Sequence, residues 1–205
     1  YKIGSGELGN WEFIDRVARM GKPVILSTGM YSIDEVRTAL QTIDATGNNC
    51  VALLHCVTSY PTLPSEVNLR TIELYDKMFG GVIGYSDHTE GSTAVIGAVA
   101  LGAKIIEKHI ALEFNVPDAQ DWRVSSGPRT CARLVERGRK VELCRGEGGV
   151  KQISDSEKRN RKWACKSLVL RKDLKKGRQI ESSMLVAKRP GTGISPADAT
   201  KVIGR

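Results

Sequence analysis

Apolar residues in the first half of the chain come in short continuous runs, at residues 23–26, 51–54, 81–83 and 103–106, with a briefer one at 1–3. The segments between them carry helical spacing. Trp11, Ile14, Val17 and Ala18 recur at intervals of three and four before Gly21, which predicts a helix over 11–20. Ser32-Ile-Asp-Glu35 is a capping-box pattern that starts a helix to about residue 45, with Thr46-Gly-Asn-Asn as its stop. A third helix is expected over about 68–78. A fourth, rich in small residues that allow close approach to a sheet, is expected over 93–101. Five apolar runs alternating with four helices make a βα repeat. Runs that are continuous rather than alternating point to parallel strands covered on both faces.

Polar residues follow every run: Ser5 and Glu7, Ser27, Thr58 and Tyr60, Ser86 to His88, then Lys108 and His109. Chemistry spread over the C-terminal ends of several successive strands is the habit of a (β/α)8 barrel. An open doubly wound sheet concentrates function at one switch point beside a Gly-rich turn, and no GxGxxG occurs. The barrel is therefore favoured. Five strands do not close one, and the chain opens inside an apparent strand without Met, so the missing strands are expected to precede Tyr1.

The pattern changes after Asn115-Val-Pro. An amphipathic basic helix is expected over 128–144, Gly146-Glu-Gly-Gly149 breaks it, and 154–162 is a charged linker or helix. From Lys166 onward, short apolar stretches at 167–170 and 184–188 alternate with Gly/Pro turns, which suggests a small β-rich second domain. The expected organisation is a barrel portion over 1–145, a linker over 146–165 and a second domain over 166–205, itself expected to be incomplete.

Composition narrows the function classes. No apolar run approaches the roughly 18 residues that span a bilayer, and no charged-then-apolar leader opens the chain, so a cytoplasmic protein without membrane partners is expected. The five cysteines are odd in number and lack CxxC spacing, which fits reduced thiols rather than disulfides or a zinc site. The net charge is +8 and uneven: residues 129–189 hold 19 Lys/Arg against 7 Asp/Glu. Trp163 is the one aromatic in that stretch, so a solvated helix face or an anionic small-molecule site is expected rather than nucleic acid.

Candidate chemistry centres on Gly84-Tyr-Ser-Asp-His-Thr-Glu-Gly-Ser92 read with Glu107-Lys-His109. Two of the three histidines lie there, and imidazoles at the ends of adjacent parallel strands could share one metal ion. Asp87 could orient a neighbouring imidazole or cap the next helix. His55, at another strand end, could be structural or line a pocket.

Six motifs in order resemble the sialic acid synthase (N-acetylneuraminate synthase) family: Lys2-Ile-Gly-Ser5; Leu26-Ser-Thr-Gly-Met30; Leu54-His-Cys56 with Tyr60-Pro61; Gly84-Tyr-Ser-Asp-His88; Glu107-Lys-His109; and Lys188-Arg-Pro-Gly-Thr-Gly-Ile-Ser-Pro196. The resemblance runs from Tyr1 to Arg205. It implies the C-terminal part of a (β/α)8 TIM barrel followed by an antifreeze-like (SAF) domain. The implied reaction condenses phosphoenolpyruvate (PEP) with an N-acylated amino sugar, such as N-acetylmannosamine, to a nine-carbon 2-keto sugar acid with release of phosphate.

By the same resemblance, Lys2, Ser27, Thr58, Tyr60 and Ser86 match positions that hold PEP, with Thr58 where the family often has Asn. His88 and His109 match two ligands of a divalent metal, and two imidazoles with oxygen ligands suit Mn²⁺ better than Mg²⁺. Glu7 matches a carboxylate near the sugar aldehyde. Arg189 matches an arginine reaching the partner's sugar site in a domain-swapped homodimer. The family's Pro-Gly-Pro-Asp-His is replaced here by Pro117-Asp-Ala-Gln-Asp-Trp122, so either Gln120 or Asp121 takes the sugar-contacting role, and the sugar's identity stays open. Other readings are a non-catalytic carbohydrate-binding or dimerisation module and a metal-dependent pyruvate aldolase. These 205 residues alone are expected to be inactive.

Overall fold

A computed structural model describes every residue except Gln120 and Glu147. The chain divides into two compact units, Tyr1–Glu147 and Gly148–Arg205.

The first unit holds β1 (Lys2–Ile3), α1 (Trp11–Arg19), β2 (Val24–Ser27), α2 (Ile33–Asp44), β3 (Val51–Cys56), α3 (Thr71–Phe79), β4 (Val82–Asp87), α4 (Thr93–Ala100), β5 (Ile105–Lys108) and α5 (Pro128–Arg145). The strands form one sheet in the order β1-β2-β3-β4-β5, and every pair is parallel. Local signals set the helix boundaries. Ser32 Oγ accepts the Glu35 N–H and the Glu35 carboxylate accepts the Ser32 N–H, which closes the first turn of α2. Gly80, at φ +64°, ends α3 in a left-handed cap that costs a glycine nothing.

The sheet curls. In a flat sheet the first and fifth strands would lie about 19 Å apart, yet Lys2 Nζ on β1 stands 3.4 Å from Glu107 Oε2 on β5. The product is a five-stranded parallel half-barrel. Its convex face packs on the helices: Ile3, Val24, Leu26, Leu53, Ile83 and Tyr85 join Ile14, Val17, Val36, Ile43, Ile72 and Val95 in one core. Each fully buried Val, Leu or Ile contributes about 1.5–3 kcal/mol relative to exposure. The opposite set of strand residues, including Ser27, Cys56, Ser86 and Glu107, lines the concave face.

The strands run further than apolarity alone implies. β3, β4 and β5 end at Cys56, Asp87 and Lys108, so much of the polar chemistry sits on the last strand residues, where the hydrogen-bond ladder holds it. Gly84 is needed within β4, because a Cβ there would fall 2.5 Å from the Ile105 carbonyl oxygen.

The second unit contains α6 (Asp155–Ala164) and an antiparallel pair, β6 (Ser167–Leu170) and β7 (Leu185–Lys188). The charged 154–162 stretch is a helix rather than an open linker. Ser154 and Glu157 form a second capping box that secures its start. Among the described residues, no helix is long and apolar enough to cross a membrane.

Candidate active site

The concave end of the half-barrel gathers side chains from all five strands. Ser86 Oγ donates to Glu107 Oε1 at 2.7 Å, and Lys2 Nζ pairs with the other oxygen of the same carboxylate. Glu107 thus ties together a cation from β1 and a hydroxyl from β4. No local pattern in the sequence gives Glu107 this role, because nothing there places Lys2 within reach of residue 107.

Ser27 is 2% exposed and its Oγ has no hydrogen-bond partner among the described residues. A buried unpaired hydroxyl costs free energy, so a group waiting for a ligand oxygen is a natural reading. Beside it, the Gly29 N–H donates to Ser5 Oγ at 2.8 Å. A Cβ on Gly29 would lie 2.1 Å from Thr58 Oγ1 and 2.9 Å from Ser5 Oγ. The turn after β2 therefore needs a glycine for Ser5 and Thr58 to approach its backbone. Ser5 is a second site residue that gained no role from sequence; its signal was only its position at a strand end.

The imidazoles do meet. The His88 and His109 ring centroids are 5.3 Å apart at 69°. His88 Nδ1 lies 2.7 Å from the Val57 carbonyl oxygen, which can only accept, so Nδ1 carries the proton and Nε2 in the neutral ring presents a lone pair. The Tyr60 hydroxyl sits 3.0 Å from that Nε2, with the phenol ring stacked on His88 at 4.1 Å. Burial raises the Tyr60 pKa, and the thiol of Cys56 and the carboxylates of Asp121 and Glu107 add to the rise, so the phenol stays a donor. His109 Nδ1 faces Asp121 Oδ2 at 3.4 Å.

Asp87 touches neither imidazole and does not cap α4, whose N-cap is Ser92. It accepts instead from Lys108 Nζ at 2.7 Å, from the Tyr85 hydroxyl at 2.9 Å and from the Thr89 N–H at 3.0 Å. His55 is structural: Nε2 bonds the Val67 carbonyl at 2.6 Å, Tyr75 and Tyr85 flank the ring, and burial lowers its pKa. Glu7 ends the short 3-10 turn after β1 and accepts from Asn10 Nδ2 at 2.8 Å. Gln120 lies outside the described residues. Arg189 belongs to the second unit, where Nε donates to the Ala164 carbonyl at 3.0 Å and the guanidinium carbon stands 5.9 Å from the Trp163 ring centre.

A NeuB family model matches residues 1–150. The chain belongs to the NeuB family. It is 38% identical over 207 aligned residues to the N,N'-diacetyllegionaminic acid synthase of Campylobacter jejuni, covering 100% of this chain and 61% of that protein. To the human N-acetylneuraminate-9-phosphate synthase it is 33% identical, covering 100% of this chain and 57% of that one. Among solved structures, the N-acetylneuraminic acid (sialic acid) synthetase of Leptospira borgpetersenii superposes with a TM-score of 0.72 at 34% identity, over 78% of this chain and 55% of its own. The chain thus spans about 60% of the length of the relatives it matches. The relatives that this NeuB-family chain matches at similar identity are synthases of differently substituted sugar acids.

Proposed function

We propose that this NeuB-family half-barrel carries part of the active site for condensing PEP with an N-acylated amino sugar. In the balanced reaction the PEP methylene carbon bonds to the sugar's aldehyde carbon, water adds at the former enol carbon, and inorganic phosphate leaves. The observation that carries this reading is the shared Glu107 tether of Lys2 and Ser86, with the unpaired Ser27 hydroxyl on the same concave face as the two imidazoles. One side of the face offers a cation and hydroxyls to an anion; the other offers nitrogen ligands.

Lys2, Ser27, Thr58, Tyr60 and Ser86 are assigned to PEP. Their cation and hydroxyl donors suit a small trianion. Glu107 keeps Lys2 and Ser86 aimed, and the incoming anion takes its place on both.

His88 and His109 would hold a divalent metal, Mn²⁺ ahead of Mg²⁺. The donor set fits such an ion, because the Val57 carbonyl fixes the His88 tautomer with Nε2 as the ligand atom. No group of three or more His, Cys, Asp or Glu among the described residues could hold a metal. The side chains would therefore supply two ligands and leave positions for water and substrate oxygens. When bound, the ion would withdraw charge from the aldehyde oxygen. It would also take the lone pair to which Tyr60 donates, releasing that hydroxyl to a substrate oxygen.

Glu7 is assigned to proton movement or sugar positioning at the aldehyde, and Asp121 or Gln120 to sugar hydroxyls. The second unit is assigned as the start of an SAF domain, with Arg189 reaching the partner's site in a homodimer. The test is phosphate release from PEP in the presence of Mn²⁺ and a panel of N-acylated hexosamines, run on this chain and on the complete protein. Failure of the complete protein with every sugar sinks the reading. Turnover of pyruvate in place of PEP would make it an aldolase.

A further inference from the structure

The convex side of β4 and β5, directly behind the two imidazoles, contains a cluster that neither the reaction nor the core requires. Asp87 is fully buried and the Lys108 side chain is 5% exposed, among Val95, Ile106 and Leu134. An ion pair this dry contributes little net stability compared with apolar residues of the same size, so its presence calls for another reason. Placement supplies one. Asp87 and Lys108 are cross-strand partners in the β4–β5 register, and His88 and His109 immediately follow the ends of the two strands. Both oxygens of Asp87 are engaged, Oδ1 by Tyr85 and the Thr89 N–H and Oδ2 by Lys108, and Lys108 also donates to the Thr89 carbonyl. The backbone on both sides of His88 is thereby fastened to the residue preceding His109.

We propose that Lys108, Asp87 and Tyr85 are positioning residues that set the spacing of His88 and His109. A one-residue slip of β5 against β4 would move His109 along the strand by about 3.3 Å and turn it to the other face. The buried apolar face already opposes a full slip; a buried charge paired with one opposite charge also resists the smaller displacements that apolar contacts tolerate. The strands end here, so the ladder cannot hold the register beyond Asp87 and Lys108. The ion pair does so at the last position before the imidazoles. This inference rests on the reading of those two histidines as a metal pair.

The test uses the double variant Asp87→Asn/Lys108→Met, which removes both charges but keeps an acceptor for Tyr85 and for the Thr89 N–H. Mn²⁺ binding is followed by electron paramagnetic resonance, and the ring-to-ring contact of His88 and His109 by proton NMR without metal. The double variant should stay folded, bind Mn²⁺ about 10- to 100-fold more weakly, and lose the ring contact. Unchanged affinity and unchanged contact in the folded double variant overturn the proposal. If the wild-type protein binds no Mn²⁺ while the contact is still lost in the variant, the metal reading falls and the positioning role stands. Should the double variant not fold, Tyr85→Phe decides, since it deletes one hydroxyl without changing ring volume. A several-fold weaker Mn²⁺ affinity and a weakened ring contact are expected; no change in either overturns the proposal.

Discussion

The two faces at the ends of β4 and β5 differ by one residue in sequence and by almost everything in chemistry. On the convex side Tyr85 and Lys108 both bond to Asp87, away from solvent. On the concave side Ser86, His88, Glu107 and His109 are bonded to partners that a ligand can replace: a carboxylate that can turn away, a phenol that can move off a nitrogen. Period-two alternation puts both sets on the same strands. The lesson is a division of labour. The buried, ion-paired face holds geometry, and the face with replaceable bonds carries reactivity.

That contrast can be broken from either side. The largest effect is expected from Lys108→Met alone, which leaves Asp87 buried without its cation and should cost about 3–5 kcal/mol of stability in urea denaturation. His88→Ala, one residue past Asp87, should cost less, about 1–3 kcal/mol, because it removes an uncharged ring and its bond to the Val57 carbonyl. It should lower phosphate release by about 10²–10³-fold, equivalent to about 2.7–4 kcal/mol. Equal stability losses in the two variants would erase the distinction between the faces.

Gly29→Ala should come next, because its Cβ collides with Thr58 and Ser5 on the concave side. Overpacking of this kind costs about 1–3 kcal/mol, and the KM for PEP should rise more than the KM for the sugar. Glu107→Gln should be milder. It keeps an acceptor for Ser86 but weakens the tie to Lys2, so a change in PEP KM of about tenfold, about 1.4 kcal/mol, is expected with little loss of stability.

The smallest effect belongs to His55 on the convex side. Burial depresses its pKa below the usual value, so the folded state resists protonation and the unfolded chain takes up the proton first. The stability His55 contributes is complete above about pH 6.5 and is lost progressively as pH falls from there toward its lower folded pKa. His55→Gln should flatten that part of the stability–pH profile. An unchanged slope would show that the ring is not protected by its place in the core.

Much of the half-barrel was legible because continuous apolar runs and helical spacing are local signals. The Ser32–Glu35 box and the strand runs at 23–26 and 51–54 stand where the pattern puts them. The apolar run at 81–83 was legible too, but not which residues of β4 face the helices. Asp87 illustrates the gap: a carboxylate beside a histidine reads as its orienting partner, whereas the partner it holds is a lysine 21 residues on. The second capping box, at Ser154, was hidden inside a run of charges that reads equally well as linker.

The sequence by itself determined the βα repeat, the strand-end placement of Lys2, Ser27, Ser86, His88 and His109, and membership of a family that the matched model bears out. These follow from residue type and spacing, which act over a few positions. The tertiary structure alone decided that β1 and β5 curl until Lys2 meets Glu107, that Tyr60 stacks on His88, and that Gly29 must lack a side chain for Ser5 and Thr58 to close around it. Those contacts join residues that no local pattern relates, because sheet curvature is a property of all five strands together.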